Sequence, residues 1–166
     1  MIDLSKLEQY RENNRIEAKR ALGGLPQSIW ETYSAFANTL GGIILLGAEE
    51  DKDGSLYPIA LPDPGRLVRD FWEQVNDPRR TNVNILSAGH VRIQEADGKR
   101  IVTITIPRAQ RSDRPVYIGT DPMTGTYRRN GEGDYRCTVE EIQGMLRDAS
   151  IQTSDMKLLE NMTLDA

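Results

Sequence analysis

Three glutamates and a lysine near the start of the chain could do chemistry together: Glu12, Glu17, Lys19 and, further on, Glu49. Carboxylates brought to one edge would supply the oxygen ligands that a hard divalent cation such as Mg²⁺ or Mn²⁺ takes. A cation held there could activate water against a phosphodiester, with Lys19 neutralising the phosphate. A simpler alternative stays open. Glu17 and Lys19 point the same way on a strand and could form a solvated ion pair worth at most about 1 kcal/mol.

That chemistry depends on the elements that carry the residues. Residues 15–19, RIEAK, alternate polar and apolar as a short strand does. A helix is expected over 26–40, with Pro26 in its first turn and Ser28 and Glu31 at capping-box spacing. Its buried face would be Ile29, Tyr33, Phe36, Ala37 and Leu40, and Gly41-Gly42 would end it. Residues 43–48, IILLGA, read as a central strand covered on both faces. If RIEAK and IILLGA are neighbours, their ends lie about 5 Å apart. Glu49 and Glu50 then sit where the central strand runs out, and Glu12 could fold back over the same edge.

Further along, Asp51–Gly54 is a turn, 55–61 a strand and 65–76 a helix with Leu67, Val68, Phe71, Trp72 and Val75 on its apolar face. Strands are expected at 85–95 and 99–107, joined through Ala96-Asp97-Gly98, with His90 structural on the first. A polar loop covers 108–115, and short strands at 116–119 and 125–130 flank a turn at Asp121-Pro122. Thr138 and Glu141 open a helix over 138–150. Residues 151–166 carry a weak apolar stripe (Met156, Leu158, Leu159, Met162) and read as a linker or docking segment. The pattern is α/β (α+β), a mixed sheet with helices packed on it. One domain spans 1–147, and 148–166 is a tail leading into a further region of a longer protein.

Composition narrows the function. With 166 residues, 38% hydrophobic and 28% charged, the chain can bury a real core. No apolar run approaches the roughly 18 residues a membrane span needs, and the start, MIDLSKLEQYR, is polar without the apolar stretch of a signal peptide. A single cysteine, Cys137, and a single histidine, His90, exclude an internal disulfide and a cysteine-rich zinc site, and the expected compartment is the cytoplasm. No nucleophile motif is present. Gly41-Gly42 follow a helix and precede a strand without a following lysine, which rejects a phosphate-binding loop. The net charge of −4 falls mostly on the residues from Asp148 onward. The remaining bases are clustered: Lys19-Arg20, Arg79-Arg80, Arg108/Arg111/Arg114 and Arg128-Arg129. Such clusters can grip phosphate through guanidinium forks, or can simply be solvated surface.

Together these pieces resemble the Schlafen AlbA-type domain, a module described as DNA-binding or divergent AAA. The resemblance rests on E-x4-E-x-K (Glu12, Glu17, Lys19), on the SAFANTLGG-IILLGAEE block from Ser34 to Glu50, and on the RPVYI and YRRNGEGDYRCTVEEI blocks. It implies a mixed α/β fold and nucleic-acid binding, DNA or RNA, in the N-terminal module of a bacterial transcriptional regulator. In the eukaryotic branch the domain is similar to an endoribonuclease core acting on structured RNA such as tRNA, with three metal-binding acids. Glu12, Glu17 and Glu49 match those positions, the third often being aspartate there. That core is built from two lobes, so a homodimer could replace the second. The expectation is a nucleic-acid-binding module; the alternatives are a metal-dependent endoribonuclease, and an oligomerisation or sensing module without nucleic-acid contact.

Overall fold

The RIEAK and IILLGA segments lie side by side. Strand β1 (Ile16–Lys19) and strand β2 (Gly42–Leu46) pair in parallel, with Ile16 opposite Ile43 and Lys19 opposite Leu46. Parallel neighbours need a crossover, and helix α1 (Ile29–Asn38) supplies it. The computed structural model describes residues 2–164, and side chains for residues 2–151.

Helix α1 buries Ile29, Tyr33, Phe36 and Ala37 as its spacing requires, and Trp30 with them, but it ends at Asn38, so Leu40 lies beyond it and is exposed. The expected capping box does not form. Ser28 already has helical backbone angles and makes no capping hydrogen bond; its hydroxyl instead accepts a 2.9 Å bond from Lys19 Nζ. Gly41 ends the turn at φ +75°, where a Cβ would lie 2.7 Å from the Ile106 carbonyl oxygen. The ring of Phe36 packs against the Cα of Gly42.

The central strand is shorter than the apolar run. Gly47, at φ +93°, turns the chain out of the sheet. The residues beyond it form β3 (Ala48–Glu50), antiparallel to β4 (Leu56–Pro58) in a separate ladder. Asp63 caps helix α2 (Pro64–Val75) through the Arg66 amide, and Phe71 stacks on Trp30 at 5.3 Å.

Strands β5 (Val91–Ala96) and β6 (Lys99–Ile106) complete a four-stranded mixed sheet of order β1-β2-β6-β5. The strand expected from residue 85 begins only at Val91. A 3₁₀ turn, Ala88–His90, precedes it, with His90 Nδ1 accepting from the Ser87 amide. Residues 116–119 make isolated bridges, Thr81 to Ile118 and Tyr117 to Thr126, rather than a strand. A single helical turn, α3 (Pro122–Gly125), leads into the hairpin β7 (Tyr127–Asn130) and β8 (Gly133–Arg136). Helix α4 (Val139–Leu164) opens with both bonds of the Thr138–Glu141 capping box and runs past residue 150. The side chains of the apolar stripe Met156, Leu158, Leu159 and Met162 lie outside the described residues.

Alternation along β2 divides the core. Ile44 and Leu46 join α1 and α2 in the larger cluster, while Leu45 joins Leu7, Ala48 and Leu56 in a smaller one. The sheet is therefore covered on both faces. Among the described residues, no helix is long and apolar enough to cross a membrane.

Candidate functional site

A tight turn brings Glu12 back along β1. The Asn13 amide donates to the Ile16 carbonyl, and Glu12 Oε1 accepts a 2.9 Å bond from the Ala18 amide on the outer edge of the strand. Glu50, at the end of β3, and Glu132, in the β7–β8 turn, come to the same place. Glu12, Glu50 and Glu132 each offer a carboxylate oxygen within 4.8 Å of the other two. Burial, and then repulsion from Glu17 and Glu50, pushes the Glu12 carboxyl up to about 7, against the opposing pull of the Ala18 amide and Arg129.

This differs from the sequence expectation at two of its three positions. Glu49 and Glu50 are successive strand residues and so point to opposite faces. Glu49 turns away, accepting a 2.8 Å bond from the Tyr57 hydroxyl and pairing with Arg20 at 3.5 Å. Glu17 lies close enough to Glu12 to repel it, but its carboxylate is engaged by Arg129 at 2.8 Å. Glu132 was not foreseen. Its only local signal is the Asn130–Gly133 turn, and no pattern ties that turn to β1.

Arg129 organises this corner and is not a surface phosphate grip. Its side chain is fully buried. Nη1 donates to Glu17 Oε2 and to Asp134 Oδ1, both at 2.8 Å. Nη2 and Nε reach the Asn13 carbonyl at 2.8 and 3.2 Å, and Nη2 also reaches the Ile16 carbonyl at 3.2 Å. The guanidinium carbon sits 5.0 Å from the centroid of the Phe36 ring. Burial raises the Glu17 carboxyl even though Arg129 and Lys19 act to lower it. Lys19 Nζ stands 3.9 Å from Glu17 and donates to Ser28. The arrangement is a floor of neutralised charge beneath three converging carboxylates. Three oxygen donors of that kind fit a hard divalent cation.

The other bases do not gather at that rim. Arg108 lines a cavity of about 510 Å³ with Arg15, Gly42 and Ile43, at the end of β2 opposite to β3. Arg111 pairs loosely with Asp148 at 4.0 Å. Burial, followed by Arg108 and Arg111, lowers the Arg114 guanidinium, and its Nε is buried without a hydrogen-bond partner among the described residues. Arg79 and Arg80 line a separate cavity of about 620 Å³, which Arg136 also enters. Arg128 Nε lies 3.6 Å from Glu141. Arg20 is exposed beside Glu49.

Comparison with known proteins adds three findings. The family model described as Schlafen, AlbA_2 matches residues 12–138. The solution structure of the N-terminal domain of a RecG-related protein from Nitrosomonas europaea, named for an ATP-dependent DNA helicase, is 31% identical. That match covers 84% of this chain and 95% of the other, with a TM-score of 0.61. The DIP2311 protein from Corynebacterium diphtheriae is 18% identical over 75% of this chain and 22% of its own, with a TM-score of 0.47. No curated protein matches the chain. The family match takes in Glu12, the glycine turn before β2, β3 and the whole β7–β8 hairpin, and the chain belongs to the Schlafen AlbA_2 family.

Proposed function

We propose that this domain binds nucleic acid, DNA in the first instance, as the N-terminal module of a bacterial transcriptional regulator in the cytoplasm. The observation that carries the reading is the crowding of Arg108, Arg111 and Arg114. Burial first, and then the Arg108 and Arg111 charges, lower the Arg114 guanidinium, and Arg111 meets Asp148 only at 4.0 Å. A cluster of like charges favours a polyanionic partner. The family membership and the helicase-related name of the Nitrosomonas domain point the same way.

The test is fluorescence anisotropy with labelled duplex DNA and hairpin RNA across a salt series. Affinity should fall steeply with salt, by a log–log slope of about −0.9 for each duplex phosphate contacted. Arg108→Gln and Arg111→Gln should each reduce that slope by about 1. Absence of binding to either polymer at low salt removes the reading and leaves an oligomerisation or sensing role.

A second reading, metal-dependent endonuclease action on structured RNA, is favoured by one specific observation: the convergence of Glu12, Glu50 and Glu132. Those three would hold Mg²⁺ or Mn²⁺, which supplies activation of water and neutralisation of phosphate charge. Arg129 fixes Glu17 beneath them, and Lys19 is placed beside Glu17. A homodimer would present two such rims to one substrate. Incubation with tRNA and Mn²⁺ tests it: Glu12→Ala and Glu50→Ala should abolish cleavage and Glu49→Ala should not. Cleavage surviving Glu12→Ala removes the assigned site.

A further inference from the structure

The cavity lined by Arg79, Arg80 and Arg136 has no part in the acidic rim and is built differently from the other arginine groups. It lies between the residues leading into α1, the turn after α2 and the end of β8. Its volume is about 620 Å³, and Gln27, Trp30 and Tyr127 also line it.

Two of the three guanidinium groups, those of Arg79 and Arg80, are held by neighbours before any ligand arrives. Arg80 Nη1 donates to Gln27 Oε1 at 2.6 Å, while the Arg80 carbonyl accepts from the Gly119 amide at 2.9 Å. Arg79 Nε donates to Asp77 Oδ1 at 3.2 Å. Arg136 is the cross-strand partner of Tyr127, which places both on one face of the hairpin. A guanidinium has five N–H donors, so each of the three keeps several for a ligand. Above Gly119, no atom lies within 4 Å of where a side chain would begin, which leaves that wall open.

The charge of the lining selects among phosphates. Three arginines face one carboxylate, Asp77, leaving an excess of two positive charges. A phosphomonoester carries about −1.5 to −2 at neutral pH, whereas an internal phosphodiester carries a single negative charge. Forked guanidinium donors from separate segments can also surround a terminal phosphate group, which has three free oxygens.

We infer that this cavity is a receptor for a phosphomonoester: the phosphorylated end of a nucleic-acid strand or a free nucleotide. The strand-end form rests on the nucleic-acid reading above; the nucleotide form does not.

Two measurements test it together. Anisotropy compares an internally labelled short oligonucleotide carrying a 5′-phosphate, a 3′-phosphate or neither. Calorimetry compares adenosine monophosphate with adenosine. A terminal phosphate at one end should tighten oligonucleotide binding about tenfold or more, the range expected for new charge-assisted hydrogen bonds. Arg80→Gln and Arg136→Gln should erase that gain while binding of the unphosphorylated strand persists, with unchanged circular dichroism melting. Preference for the monophosphate over adenosine, with no oligonucleotide bound, keeps the cavity assignment and overturns the nucleic-acid reading. Equal binding of phosphorylated and unphosphorylated strands, with no preference for the monophosphate, overturns the cavity assignment and leaves that reading standing.

Discussion

Replacing Arg129 by methionine is the sharpest perturbation the fold offers. Methionine keeps an apolar contact with Phe36 and removes the charge and the fork. Left behind are the Glu17 and Asp134 carboxylates, 15% and 14% exposed, and the carbonyls of Asn13 and Ile16. Removing one partner of a buried ion pair costs about 3–5 kcal/mol, because the remaining charge stays desolvated. With a urea slope of about 2 kcal/mol per molar, the unfolding midpoint should fall by roughly 2 M. Arg129→Lys keeps the charge without the fork and should fall between. Arg79→Met is the control: its side chain is 87% exposed, and the change should stay within about 0.5 kcal/mol. Urea unfolding followed by tryptophan fluorescence reads all three. A loss under about 1 kcal/mol for Arg129→Met would refute the view that this residue holds the corner together.

Three further outcomes follow from the same geometry. Glu12 titrates near 7 in the folded chain against an ordinary value of 4.5, so the stability it contributes is present below about 4.5 and is lost as pH rises through about 7. Glu12→Gln should flatten that part of the stability–pH curve measured by urea midpoints, and an unchanged slope would assign the dependence elsewhere. Mn²⁺ should raise the melting temperature of the native chain and of Glu49→Gln, but not of Glu50→Gln; equal shifts in both variants would dissolve the proposed trio. Gly42→Ala would place a methyl 2.8 Å from the Phe36 ring and should cost about 1–3 kcal/mol, read as a lower melting temperature.

The adjacency of RIEAK and IILLGA, posed in the sequence only as a condition, is met, and the helix between them makes the pairing parallel. The unbroken apolar run from Ile43 to Leu46 also announced a strand covered on both faces. Three features escaped for physical reasons. Gly47 breaks the strand through a backbone angle that an apolar run does not reveal. That break begins a new strand, in which Glu50 rather than Glu49 faces Glu12. Glu132 joins the rim only because Arg129 pins the hairpin to β1, a contact spanning more than a hundred positions that local spacing cannot encode. Arg129 itself read as half of a basic surface pair; successive residues on a strand face opposite ways, and the sequence alone does not say which of Arg128 and Arg129 turns inward. Ser28 had cap spacing, but Lys19 claimed its hydroxyl.

Strand β1 is the outermost strand of its sheet, and such a border normally exposes unsatisfied donors and acceptors to any passing extended peptide. Here the Ala18 amide is taken by the Glu12 carboxylate, and the Ile16 carbonyl by the Asn13 amide and the Arg129 guanidinium. The groups that assemble the acidic corner therefore also seal the border against strand addition. Loosening them, by Glu12→Ala or by losing Arg129, would open a template for strand exchange between molecules, so damage to this corner should show as aggregation.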